Sequence, residues 1–213
     1  GSYFLVATYR APAGKNAVRI MGGRAPVDVG NSDVDRLTMV VSPALDIRGE
    51  VTVEGRPAGG ADDRHPIVTL KSELAGVPGP ANNKYGSFSG NRQFVVNDVI
   101  EGDYRVQLED LPKGAYVKSI RFGATDVLNG NLSIDPRSSE RLDIVLSMNA
   151  GTLEGVVLNK SREPVPNAPV ALVPDAAHRQ RADLYRSAYT NDAGRFTLQG
   201  IAPGNYSVFA WED

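Results

Sequence analysis

The sequence predicts an all-β protein built from tandem Greek-key β-sandwiches, and three observations carry that prediction. First, 22 glycines and 14 prolines punctuate short runs rich in Val, Leu, Ile, Thr and Tyr, the texture of a chain with many short strands and tight turns. Second, those runs alternate apolar and polar residues with a period of two. Third, the chain repeats itself. Phe94, Gly102 and Tyr104 reappear as Phe196, Gly204 and Tyr206 at a constant offset of 102. A unit of ~100–106 residues is too long for a solenoid and right for a sandwich module.

The elements follow in chain order. "GSYFLVATYR" opens on a Gly-x-Tyr pattern, with Gly1 and Tyr3 matching Gly102 and Tyr104 at an offset of 101. "VDVGNSDVDRLTMVVS" from Val27 aligns with "LSIDPRSSERLDIVLS" from Leu132, so Arg36-Leu37 corresponds to Arg141-Leu142. "IRGEVTVE" from Ile47, "PIVTLKSEL" from Pro66, "RQFVVNDV" from Arg92 and "AYVKSIRFG" from Ala115 read as strands. In "YRVQL", Tyr104, Val106 and Leu108 point one way, and Arg105 and Gln107 the other. In "RLDIVLS", Leu142, Ile144 and Leu146 share a face opposite Asp143, Val145 and Ser147. "IRGEV" aligns with "LEGVV", placing Gly49 against Gly155. "AAHRQRADLYRSA" from Ala176 is the one helix-tolerant stretch, a long loop or a single helical piece. In the closing "GRFTLQGIAPGNYSVFAWED", Phe196, Leu198, Tyr206 and Val208 supply alternating inward residues for a sandwich core. "NDAG" supplies a tight hairpin, and "APG" reverses the chain into the last strand.

This register divides the chain. Residues 1–43 read as the C-terminal half of a truncated sandwich repeat, 44–149 as a complete repeat, and 150–213 as the N-terminal part of a third. A half-sandwich leaves sheet edges and an apolar face uncovered. The expectation is therefore a window cut from a longer array, with each half completed by sequence outside it.

Composition narrows the function classes. The apolar fraction of 41% supports a packed core, and no run approaches the ~18 apolar residues of a membrane span. The net charge is −2 with no basic stripe, so a nucleic-acid partner is not expected. The absence of cysteine excludes disulfides, thiolate metal sites and a cysteine nucleophile. There is no initiator Met and no signal peptide, which leaves the compartment open.

The stretch "GTLEGVVLNKSREPVPNAPVALVPD…YTNDAGRFTLQGIAPGNYSVFAWED" resembles a bacterial carboxypeptidase regulatory-like domain, of the transthyretin-like (prealbumin-like) β-sandwich group. Gly155, Pro164-Val165, Ala168, Val170, Leu172, Thr190, Asp192, Gly194, Phe196, Leu198, Pro203, Gly204 and Tyr206 occupy the places of that family's pattern. The likeness is close over the last 60 or so residues. The middle copy keeps Phe94 and the Gly-x-Tyr, but has Glu101 in place of Pro203 and lacks the Asp-Ala-Gly turn. The resemblance implies a β-sandwich from an exported bacterial multidomain protein, in the periplasm, outer membrane or extracellular space. It implies no catalysis, because the zinc-binding peptidase domain such modules accompany is a separate unit.

Residues capable of chemistry are few. His65 and His178 lie in separate loop contexts, whereas a metal site wants several ligands at fixed spacing. Asp62-Asp63 make no calcium-loop pattern, and Asp192 reads as the cap of its own turn. No G-x-S-x-G or phosphate-cradling G-x-x-x-x-G-K occurs. An isopeptide crosslink needs a buried Lys, an Asn and an acid together. Lys71 is the one candidate donor, and its place at a strand end reads as exposed. The expectation is no enzyme, no cofactor and no metal.

One feature separates the copies. Opposite the core face, the middle Gly-x-Tyr strand carries Arg105, Gln107 and Glu109, whereas the last one carries Ser207, Phe209 and Trp211. These two aromatics, with Tyr185 in the basic loop "HRQRADLYR", are the candidate ligand-binding residues. Burial by neighbouring sequence is the leading expectation for Phe209 and Trp211, and a solvated loop for Tyr185. An exposed aromatic pair would instead offer a platform for sugar rings. The sequence thus favours a structural module, a spacer or docking domain whose partners are neighbouring domains of the same chain or another surface protein. The alternatives are a carbohydrate-binding module taking a polysaccharide, or an accessory domain of a peptidase or outer-membrane receptor.

Overall fold

A computed structural model of the 213-residue chain describes all residues except 15–16, 56–64, 74–82, 91 and 212–213. It is almost entirely β, with sheets in a sandwich-like arrangement. The strands are β1 (Ser2–Pro12), β2 (Val18–Asp28), β3 (Ser42–Pro43), β4 (Leu45–Glu54), β5 (Ile67–Ser72), β6 (Lys84–Ser89), β7 (Gln93–Val99), β8 (Gly102–Glu109) and β9 (Tyr116–Phe122). They continue with β10 (Thr125–Asp126), β11 (Leu132–Ile134), β12 (Leu142–Ser147), β13 (Gly151–Val156), β14 (Pro169–Pro174), β15 (Arg186–Tyr189), β16 (Arg195–Ile201) and β17 (Tyr206–Ala210). Four ladders order them as β1-β2-β3, β10-β9-β12-β4-β7-β6-β5-β8-β11, β13-β16 and β15-β14-β17.

The chain divides into two compact units. The first comprises Gly1–Glu50, Val68–Val106 and Arg121–Asp143; the second comprises Val51–Ile67, Gln107–Ile120 and Ile144–Asp213. The division falls within β4, β5, β8, β9 and β12.

In the first unit, Ile47, Val68, Leu70, Phe94, Val96 and Leu142 are buried almost completely. Gly49 pairs with Phe94 across β4 and β7, and a Cβ on Gly49 would collide with the Phe94 ring and the Leu142 carbonyl. That close approach is why the strand carries a glycine. Tyr104 is buried and its hydroxyl donates to the Ile100 carbonyl at 2.9 Å, so the phenol finds the one partner it needs. β11 lies antiparallel on β8, with Leu132 opposite Tyr104, Ser133 opposite Asp103 and Ile134 opposite Gly102. The amino-terminal hairpin repeats this register. Val27 lies opposite Tyr3 and Asp28 opposite Ser2, and the Val29 amide donates to the Gly1 carbonyl. Even the polar pair returns with its members exchanged: Ser133 Oγ donates to Asp103 at 2.6 Å, and Ser2 Oγ to Asp28 at 2.5 Å. The two segments differ further on, since β1 and β2 pair with each other over eleven residues whereas β8 and β9 are not ladder neighbours.

In the second unit, Val170, Leu172 and Leu198 are core residues. The local contacts of the first unit recur. Gly155 pairs with Phe196, leaving 2.6 Å between a Cβ on Gly155 and the ring's Cζ. Tyr206 donates to the Ala202 carbonyl at 2.9 Å. Val208 departs from its expected inward burial: it is 47% exposed. β17 is the edge of its three-stranded sheet, so no further strand covers that side chain among the described residues.

Candidate functional site

The site begins with β14, whose inward Val170 and Leu172 bury one face of the β15-β14-β17 sheet. Alternation then turns Pro169, Ala171 and Val173 to the other face. Directly opposed antiparallel residues share a face, so the pairings assign its occupants. Ala171 lies opposite both Ser187 and Phe209, and Pro169 opposite Tyr189. The Trp211 amide continues the ladder by donating to the Pro169 carbonyl at 3.4 Å. One face of the sheet therefore carries Phe209, Trp211 and Tyr189, with Pro169, Ala171 and Ser187 between them. The three aromatics are 52%, 49% and 66% exposed. Phe209 and Trp211 stand two residues apart, about 7 Å along the strand. Tyr189 faces Trp211 across two strand spacings, roughly 9.5 Å.

Tyr185 does not join this face through any pairing. It precedes β15, and its hydroxyl donates to the Arg179 carbonyl at 3.0 Å, tying the ring to its own loop. That loop is not a free basic segment. It folds as two 3-10 turns, Ala176–His178 and Ala182–Leu184, stitched by its own cations. Arg181 grips both oxygens of Asp183 at 3.1 and 2.6 Å and also reaches the Val117 carbonyl. Arg186 donates to the carbonyls of Asp183, Tyr185, Gln199 and Gly200. His178 Nδ1 meets the Asp175 carboxylate at 2.6 Å, which holds that carboxyl below its ordinary value. A cleft of about 400 Å³ lies between residues 108–115 and Ala182, Asp183, Arg186, Gln199 and Gly200. Most of the Arg186 donors on its wall are already spent on carbonyls.

The turn before β16 belongs to Asn191, where Asp192 was expected. Asn191 Oδ1 accepts from the amides of Ala193 and Arg195 at 3.0 and 2.9 Å, and Gly194 closes the turn at φ +68°. Thr190 is buried, donating to the Val165 carbonyl at 2.7 Å and accepting from the Ala168 amide at 2.8 Å. Thr190 thus ties the loop before β14, Asn191 and Gly194 shape the turn into β16, and Tyr206 closes on Ala202 ahead of β17. Residues 152–213 match the carboxypeptidase regulatory-like domain. This is a non-catalytic kind of β-sandwich, and the exposed aromatic face lies wholly within the regulatory-like segment. No curated protein sequence matches the chain. Among solved structures, the streptococcal ancillary pilin aligns with 97% of this chain and 66% of its own length, at 12% identity and a TM-score of 0.32. That likeness is too loose to transfer any function.

Among the described residues, no three His, Asp or Glu side chains gather to hold a metal ion, and no helix is long and apolar enough to cross a membrane. Asp62 and Asp63 lie outside the described residues. Lys71 is exposed. The residue that sequence reasoning missed is Tyr189. Its signal was the alternation Ser187, Tyr189 ahead of the turn, but only the register of β15 on β14 places it in the row of Trp211.

Proposed function

We infer that the chain is a non-catalytic structural and docking module of an exported bacterial multidomain protein, built of consecutive sandwich segments over 1–43, 44–149 and 150–213. The observation that carries this reading is the match of residues 152–213 to a non-catalytic kind of β-sandwich, and the aromatic face of that segment is its contact surface. Three large rings stand out from a sheet whose other face buries Val170 and Leu172, and exposed apolar patches of this kind mark contact surfaces. Docking partners are neighbouring domains of the same protein or another surface protein.

A polysaccharide is the second reading, and the exposure of Phe209, Trp211 and Tyr189 favours it. Rings spread along and across a sheet offer successive stacking positions. Trp211 is the chain's one tryptophan, so its emission reports directly on the face. Affinity electrophoresis on a polysaccharide panel, run beside Trp211→Ala and Tyr189→Ala, separates the two readings. Retardation lost in both variants, with a blue shift of Trp211 emission in the wild type, assigns a glycan ligand. Unretarded migration on every glycan removes the carbohydrate reading. Insensitivity of a retarded band to both substitutions removes this face as the binding surface.

A further inference from the structure

We propose that Asn129 is a self-modification site, at which the Gly130 amide closes on the asparagine side chain and converts it to an acidic residue without an enzyme. The inference goes beyond the docking face and does not depend on what that face binds. It starts from chemistry that a backbone carries within itself. An amide nitrogen that loses its proton is a nucleophile, and the side-chain carbonyl of a preceding asparagine lies within reach of a five-membered ring. A side chain on the residue that supplies the nitrogen obstructs the approach and narrows the backbone, and glycine removes both restraints. Asn129 is the one asparagine of the sequence followed by glycine.

The structure leaves this pair free to react. Asn129 and Gly130 lie in an exposed bend between β10 and β11, outside the ladder that begins where Leu132 meets Tyr104. Among the described residues, neither the Gly130 amide nor the Asn129 side chain has a hydrogen-bond partner. A Cβ on Gly130 would meet nothing within 4 Å, so no packing opposes closure of the ring. Other asparagines are held. Asn159 and Asn191 spend their side-chain oxygens on neighbouring amides. The Asn131 oxygen accepts from Arg105 at 2.9 Å, and the amide after Asn167 is buried on the Thr190 hydroxyl. The step at Asn129 balances with water alone. The Gly130 nitrogen bonds to Asn129 Cγ, the Cγ–Nδ2 bond breaks, and ammonia leaves with the amide proton. Water then opens the cyclic imide, giving aspartate when the Cγ–N bond breaks and isoaspartate when the backbone C–N bond breaks. Either product adds one negative charge to a chain that carries −2. Leu132 and Ile134 are buried and anchor β11, so the change stays within the bend.

The test is storage of the folded 213-residue chain in mildly alkaline buffer, read by ion exchange, peptide mapping and cleavage with hydroxylamine, which attacks cyclic imides. The expected result is a more acidic species that grows with time, maps to Asn129 and accepts a methyl group from an isoaspartyl carboxyl methyltransferase. Hydroxylamine should cut the chain between Asn129 and Gly130. The rate in the folded chain should lie within about three-fold of that in guanidinium, since an exposed bend without hydrogen bonds needs no opening. Gly130→Ala slows the reaction by about ten-fold or more, because the obstructing side chain returns. Asn129→Gln removes it, because the ring to be closed is one carbon larger. Both positions are exposed, and unchanged denaturation midpoints check that folding is spared. A folded chain that keeps its charge while the unfolded chain acidifies overturns the proposal, because the fold then locks the pair. So does an acidic species that maps to another asparagine, or one that forms at the wild-type rate in Gly130→Ala.

Discussion

The tyrosine of the Gly-x-Tyr pattern is a structural residue whose chemistry is visible in its acidity. Burial pushes the Tyr104 phenol from 10.0 up to about 12, and Tyr206 is shifted the same way by lesser burial. A buried phenol is held neutral in the folded chain, whereas the unfolded chain ionises at its ordinary value. The stabilisation is therefore complete below pH 10 and is lost as pH rises from there toward 12, at roughly 1.4 kcal/mol per pH unit. Tyr104→Phe is expected to cost about 1 kcal/mol at neutral pH, because the Ile100 carbonyl loses its donor. It should also flatten the alkaline decline. Urea unfolding at pH 7 and above pH 10 measures both, and an unchanged alkaline slope in the variant would discard Tyr104 as its source. Gly155 is the complementary case. A methyl there would meet Phe196 at 2.6 Å, so Gly155→Ala should lower stability by about 1–3 kcal/mol as the ring is displaced; a thermal melt within error of the wild type would show that the ring moves aside without cost.

At the scale of elements, strand identity was legible because period-two alternation is a local signal. β8 buries Tyr104, Val106 and Leu108, and β12 buries Leu142, Ile144 and Leu146, as their patterns require. What alternation does not encode is which strand lies next door. Val208 has the pattern of a core residue and stands exposed at a sheet edge, and Tyr189 enters the aromatic face only through its register on β14. Likewise, the charge of "HRQRADLYR" suggested solvation, but the arginines find carbonyls and Asp183 only once the loop has folded. Turn chemistry was half legible. Gly194 was identified, while the side chain that bonds the backbone is Asn191, one place before the expected Asp192. Two substitutions test that hairpin. Asn191→Ala should cost about 1 kcal/mol through two lost amide contacts. Gly194→Ala should cost more, because φ is +68° and a Cβ would lie 2.7 Å from the Val157 carbonyl. Equal losses, read from denaturation midpoints, would contradict this assignment of the strain to Gly194.

Over the whole molecule, acid neutralises 25 Asp and Glu and leaves 23 Lys and Arg to repel one another, and particular joints add to that general loss. The clearest joins the amino-terminal hairpin to β8 inside the first compact unit. Arg24 Nη1 donates to Asp103 at 2.7 Å, the Arg24 amide donates to Glu101 at 2.8 Å, and the guanidinium sits 5.3 Å above the Phe4 ring. The counterparts of Asp103 in the other two segments are Ser2 and Asn205, which leaves this ion pair to one copy alone. The Ser133 hydroxyl and then Arg24 hold the Asp103 carboxyl below its ordinary 3.8. With the folded value depressed, the contribution is fully present above pH 3.8 and is lost as pH falls below it. The pair is partly exposed, so its share at neutral pH is under about 1 kcal/mol. Arg24→Ala and Asp103→Asn should each lower stability by that order at pH 7, and the double variant by little more than either, because the two act through one contact. At pH 3 the difference between Asp103→Asn and wild type should shrink, since protonation has already removed much of what the substitution removes. Additive losses in the double variant, or a gap between Asp103→Asn and wild type that widens in acid, would mean that the hairpin is held by Phe4 and its apolar contacts, with the ion pair contributing nothing.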